Sequence, residues 1–103
     1  MLVAFSLAPS TAAPDGSVSE AVAECVRLVR ASGLPNRTDA MFTTLEGEWD
    51  ECMDVVRRCV DTLAATAPRV SLVLKADVRP GRSGELDGKV ERLEAAIGRA
   101  AAG

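Results

Sequence analysis

Between Val70 and Arg79 the chain alternates with a strict period of two. Val70, Leu72, Leu74, Ala76 and Val78 fall on one side of an extended segment, and Ser71, Val73, Lys75, Asp77 and Arg79 on the other. That period is the pleat of a β-strand with one apolar and one polar face. The pattern stops at Pro80-Gly81, a turn pair. Lys75, Asp77 and Arg79 stand in succession on the polar row, which is either a solvated, self-neutralising set of charges or a face that binds something. The rest of the chain has to decide between these.

Leu2 to Ala8 reads as a first strand, with Val3, Phe5 and Leu7 on one face and Pro9 as its stop. Ser17-Val18-Ser19-Glu20 has the form of a capping box. Behind it Val18, Val22, Cys25 and Val29 recur at helical spacing, and Gly33 and Pro35 end the helix. Asn36–Thr38 and Met41–Glu46 read as two short strands joined near Asp39-Ala40. Gly47 breaks the second. Glu48, Asp50 and Glu51 then place negative charge at the positive end of another helix, whose predicted stripe is Met53, Val56, Val60 and Leu63 with Trp49 at its start as a core residue. A last helix runs from about Glu85 towards Ala101, with Leu86, Val90, Leu93 and Ile97 as its apolar positions.

At 103 residues the chain reads as a single domain, residues 1–103. The order β-α-β-β-α-β with right-handed crossovers puts both main helices on one face of a four-stranded antiparallel sheet. This is an α+β, ferredoxin-like sandwich with an extra C-terminal helix. The opposite sheet face is expected to be bare and too apolar to stay wet, so it is expected to pack on another subunit.

Composition excludes several classes. The net charge of −3 argues against a nucleic-acid or anionic-membrane binder. With no histidine, the commonest general base and metal ligand is missing, and Cys52 and Cys59, seven apart, make a poor zinc pair. No run approaches the ~20 apolar residues of a membrane span. The amino-terminal run lacks a basic flank and is shorter than the ~15–30 residues of a signal peptide. The expectation is a cytoplasmic protein with three reduced thiols, no metal and no cofactor.

Two stretches resemble a known family. Thr43-Thr44-Leu45-Glu46-Gly47-Glu48-Trp49-Asp50-Glu51 is similar to its strand-to-helix signature. Arg69-Val70 followed by Lys75-Ala76-Asp77-Val78-Arg79-Pro80-Gly81-Arg82, with Lys89-Val90 behind, resembles its second signature. The family is the thiamine-binding, YkoF-like group of small ferredoxin-like proteins, and the resemblance spans nearly the whole chain, including Ser6 and Pro9. It implies pairs joined by sheet edges and stacked sheet to sheet as tetramers. It also implies pockets against the sheet for thiamine or its pyrimidine part, and no catalysis.

On that resemblance the candidate ligand-binding residues are Ser6, Thr43, Thr44, Glu46, Lys75, Asp77 and Arg79. Glu46 precedes Gly47, where backbone can approach a ligand, and either anchors an aminopyrimidine or balances a thiazolium, or serves as a helix-entry carboxylate at the positive end of the following helix. Strict alternation puts Thr44 beside Glu46, whereas the resemblance favours Thr43. Lys75 and Asp77 are expected as near neighbours on one face, either as an ion pair across a subunit interface or with Asp77 orienting Lys75 or receiving a ligand amine. Arg79 and Arg82 flank the turn in a way suited to an anion, and Phe42 offers a flat wall. The expected function is non-enzymatic binding of thiamine or its hydroxymethylpyrimidine moiety at a sheet-to-sheet interface of a homotetramer, a dimer of dimers. The alternatives are a structural or regulatory oligomer and, below it, a small enzyme using Lys75 and Asp77.

Overall fold

The computed structural model describes residues 1–10 and 19–102. The elements are β1 (Leu2–Pro9), α1 (Ser19–Ala31), β2 (Asn36–Thr38), β3 (Thr43–Glu46), α2 (Trp49–Ala64), β4 (Val70–Asp77) and α3 (Glu85–Ala102). The four strands form one antiparallel sheet in the order β2-β3-β1-β4. This is the ferredoxin-like arrangement expected, with β4 at an edge. The Ser17 cap and Val18 lie outside the described residues.

Register fixes which side chains share a face. Val3 pairs with Leu45 and Ala76, and Phe5 with Thr43 and Leu74. Their neighbours Leu2, paired with Glu46 and Asp77, and Ala4, paired with Thr44 and Lys75, therefore point the other way. The first face meets α1 and α2. There Val3, Phe5 and Leu45 from the sheet pack with Cys25 and Val29 of α1 and with Cys52, Val55, Val56, Cys59 and Leu63 of α2. Each buried aliphatic side chain contributes about 1.5–3 kcal/mol by leaving water.

The α2 stripe differs from the one expected. Cys52, Val55, Val56, Cys59 and Leu63 are buried, while Met53 and Val60 are only half-buried. Trp49 is 56% exposed, so it is no core residue. It opens α2 and lies with Glu48, Arg79 and Arg82 around a surface recess instead of on the helix face turned to the core. Strand β3 starts at Thr43 rather than Met41 because Asp39 Oδ1 accepts from the amides of Met41 and Phe42, both at 2.9 Å, and curls that segment into a turn.

The far face of the sheet is not bare. The start of α3 crosses the end of it that carries Leu2, Glu46 and Asp77. Beyond that end Val73 and Lys75 remain exposed, and so do Val90, Leu93 and Ile97 of α3.

Candidate functional site

The seven residues expected to bind a ligand divide between the two sides of the sheet and its end. Thr43 and Ser6 border a cleft on the helix side. Thr44, Glu46, Lys75 and Asp77 share the far face. Arg79 lies past the end of β4.

The cleft encloses about 240 Å³ between α1, β1 and the β2–β3 turn. Its walls are apolar: Phe5 and Leu7 from the strand, Val22, Cys25, Val26 and Val29 from the helix, and Met41 and Phe42 from the turn. Alternation directs the Ser6 side chain to the far face, so Ser6 meets the cleft through its backbone. Two polar groups converge on the rim. Thr38 Oγ1 and Thr43 Oγ1 lie 3.2 Å apart across the β2–β3 ladder. Asp39 follows immediately, and the Phe42 and Met41 amides bound to its carboxylate hold it below the usual carboxylate range. It is therefore ionised at neutral pH, and its second oxygen is not used by those amides. An apolar slot with a few convergent polar groups is the common form of a small-molecule site. Its volume is below the ~300–1,000 Å³ typical for drug-sized ligands, which suits one ring.

On the far face the carboxylates are occupied by α3. Glu46, 7% exposed, accepts from the amide of Glu85 at 2.7 Å and from that of Leu86 at 3.5 Å, at the positive end of the helix. Within the chain Asp77 accepts from Lys89 of α3. Lys89 chiefly, with smaller help from Lys75 and Arg79, holds the Asp77 carboxyl below its usual range. Arg37 meets Asp87 at 2.5 Å, and Arg92 meets Glu85 at 2.6 Å, lowering the Glu85 carboxyl likewise. Thr44 and Lys75 are left on the uncovered part of this face, which settles the alternation question in favour of Thr44 as the neighbour of Glu46.

The three cysteines are free and buried. Cys25 Sγ donates to the Cys59 carbonyl at 3.8 Å and Cys59 Sγ to the Cys25 carbonyl at 3.6 Å. The Cys25 hydrogen bond and burial push the Cys59 thiol up, and burial does the same to Cys52. The protonated thiols of Cys52 and Cys59 are weak nucleophiles, whereas the hydrogen bond with Cys59 lowers the Cys25 thiol. Among the described residues no group of three His, Cys, Asp or Glu side chains is placed to hold a metal ion. Within the same residues no helix is long and apolar enough to cross a membrane.

Sequence reasoning missed Thr38 and Asp39. The available signal was Thr38-Asp39 facing Phe42-Thr43 across a short hairpin, an Asx turn that brings the two threonines level.

Fold and cleft together define a ferredoxin-like domain with a recess between helix and sheet. The chain belongs to the family described as "Thiamine-binding protein", whose model matches residues 3–94. It is 52% identical over 95 residues to a UPF0045 protein of Mycobacterium bovis, covering 91% of each chain. It is also 33% identical over 79 residues to a UPF0045 protein of Synechocystis, covering 76% of this chain and 65% of the relative. Among solved structures, a hypothetical protein of Methanocaldococcus jannascii superposes with a TM-score of 0.80 at 26% identity, covering 90% of this chain and 94% of that one. A Thermotoga maritima protein described as a candidate for thiamine biosynthesis or salvage gives 0.74 at 27% identity, over 89% and 96%.

Proposed function

We propose that this chain is a non-enzymatic binding protein for thiamine or its hydroxymethylpyrimidine moiety, acting in the cytoplasm. The cleft carries the proposal. An aminopyrimidine both donates and accepts hydrogen bonds, and the paired hydroxyls of Thr38 and Thr43 can do either. The apolar walls suit its ring, and the ionised Asp39 suits an amine or a nearby thiazolium. A cavity of about 240 Å³ takes the pyrimidine and leaves the thiazole side towards solvent.

A sheet-to-sheet location is the second reading. It is favoured by Val73, 60% exposed beside Lys75 and Thr44, on a face whose apolar part invites a second subunit. Under it the chain assembles as a tetramer, a dimer of dimers, with Lys75 near the interface.

Calorimetric titration with thiamine and with hydroxymethylpyrimidine tests both. Wild type is expected to bind both compounds, the fragment nearly as well as thiamine. Thr43→Val is expected to weaken binding roughly five- to tenfold, the worth of one hydrogen bond of about 1 kcal/mol. Binding of neither compound overturns the ligand. An unchanged Thr43→Val with a weakened Lys75→Ala moves the site to the sheet-to-sheet face. A monomer by light scattering at micromolar concentration removes the tetramer.

A further inference from the structure

Past the end of β4 lies a separate recess of about 230 Å³ whose walls include Trp49, Arg79, Arg82 and Glu48. It lies at the Met1 end of β1, whereas the cleft borders Ser6 and Leu7. Five residues of strand, at ~3.3 Å each, separate the two by roughly 16 Å.

The recess is built by the local backbone. Arg82 N donates to the Arg79 carbonyl at 3.1 Å, Pro80 occupies the second position, and Gly81 the third with φ +78°. This is the type II turn pattern, in which the third residue must tolerate positive φ. Its first and fourth residues are both arginines, held within ~7 Å at Cα by the turn itself. Arg79 forms no ion pair among the described residues, and Arg82 reaches Glu85 only at 3.9 Å. Beside them stands the exposed indole of Trp49, a large flat surface left outside the core. Guanidinium groups recognise phosphate through bidentate hydrogen bonds, and an indole face stacks on planar rings.

We infer that Trp49, Arg79 and Arg82 form a second ligand site, for a planar heterocycle bearing one phosphate monoester. Two guanidiniums match the charge of about −1.5 to −2 on such a group. Glu48, on the same wall, opposes a longer polyphosphate. The inference is independent of the thiamine reading, since thiamine is a cation and its proposed cleft lies at the other end of the sheet.

Trp49 is the single tryptophan and the chain has no tyrosine, so its fluorescence reports on this recess alone. Adenosine 5′-monophosphate, adenosine and inorganic phosphate are titrated into the full chain. Saturable quenching by adenosine 5′-monophosphate is expected, with adenosine and phosphate each at least about tenfold weaker. The double variant Arg79→Gln, Arg82→Gln should lose at least about tenfold in affinity while unfolding at the wild-type temperature, because both side chains are exposed. Quenching that does not saturate, adenosine binding as well as its monophosphate, or a double variant that binds unchanged overturns the site. Competition by thiamine would also overturn it as a separate site, and leaves the calorimetric test of the cleft standing.

Discussion

The two faces of this sheet are held by different physics. On the helix side, β1 and β3 meet α1 and α2 through a continuous apolar cluster with Val3, Leu45, Cys52 and Cys59 fully buried. On the far side, α3 is held by charge: the Glu46 cap, the Asp77–Lys89 and Arg37–Asp87 pairs, and the Glu85–Arg92 contact within the helix. Apolar burial carries no charge for salt to screen and responds little to pH. Ion pairs at the surface are screened and titrate. One sheet thus has a permanent side and a conditional side, and the cleft sits on the permanent one.

The largest effect should come from the permanent side. Leu45→Ala removes a fully buried side chain from the centre of the sheet and is expected to cost about 2–5 kcal/mol in denaturant unfolding. If only α3 loosened in that variant, the comparison would fail.

Next in size, Glu46→Gln takes the charge from the α3 cap. The expected loss is about 0.5–2 kcal/mol, the range for helix caps. Amide exchange should quicken at Glu85 and Leu86, while thiamine titration of the cleft stays as in wild type. Weakened ligand binding with unchanged exchange would make Glu46 a direct ligand group instead.

Acid should separate the faces more gently. The folded-state carboxyls of Asp77 and Glu85 lie below their unfolded values, because of Lys89 and Arg92 respectively. Their stabilisation is therefore complete above the usual carboxylate range of about pH 4 and is lost as pH falls through the folded values. Amide exchange between about pH 5 and pH 3 should show α3 opening before α1 and α2, after correction for the intrinsic rate. Simultaneous opening would contradict the division. The smallest effect belongs to Lys75→Ala: an exposed side chain with no ion pair among the described residues should leave monomer stability unchanged in a denaturant titration.

Much of the fold is legible in the chain because it rests on local period. The alternation of Val70 to Asp77 gives β4 and its facing, and the register with β1 agrees with it. Asn36–Thr38 is legible on other grounds, because a segment so short and rich in threonine suits a strand better than a helix. The α2 stripe is not, because cysteine serves as a small apolar residue there, and counting valines and methionines rotates the helix away from Cys52 and Cys59. The site is legible only in part. Thr43 and Thr44 differ by a face that only the pairing to Ala4 and Phe5 decides. The partners of Glu46 and Asp77 are 39 and 12 residues downstream, a separation that no periodicity encodes.

The elongated outline of the molecule, with α3 exposed along Val90, Leu93 and Ile97, changes how it moves through water. The chain measures 54 × 31 × 20 Å with a radius of gyration of 16.2 Å. A compact domain of about 100 residues has a radius of gyration near 13 Å. A single copy should therefore diffuse and elute as though heavier than its 10.8 kDa. Column retention calibrated on spheres will overcount its subunits, and a mass obtained from scattered light will not.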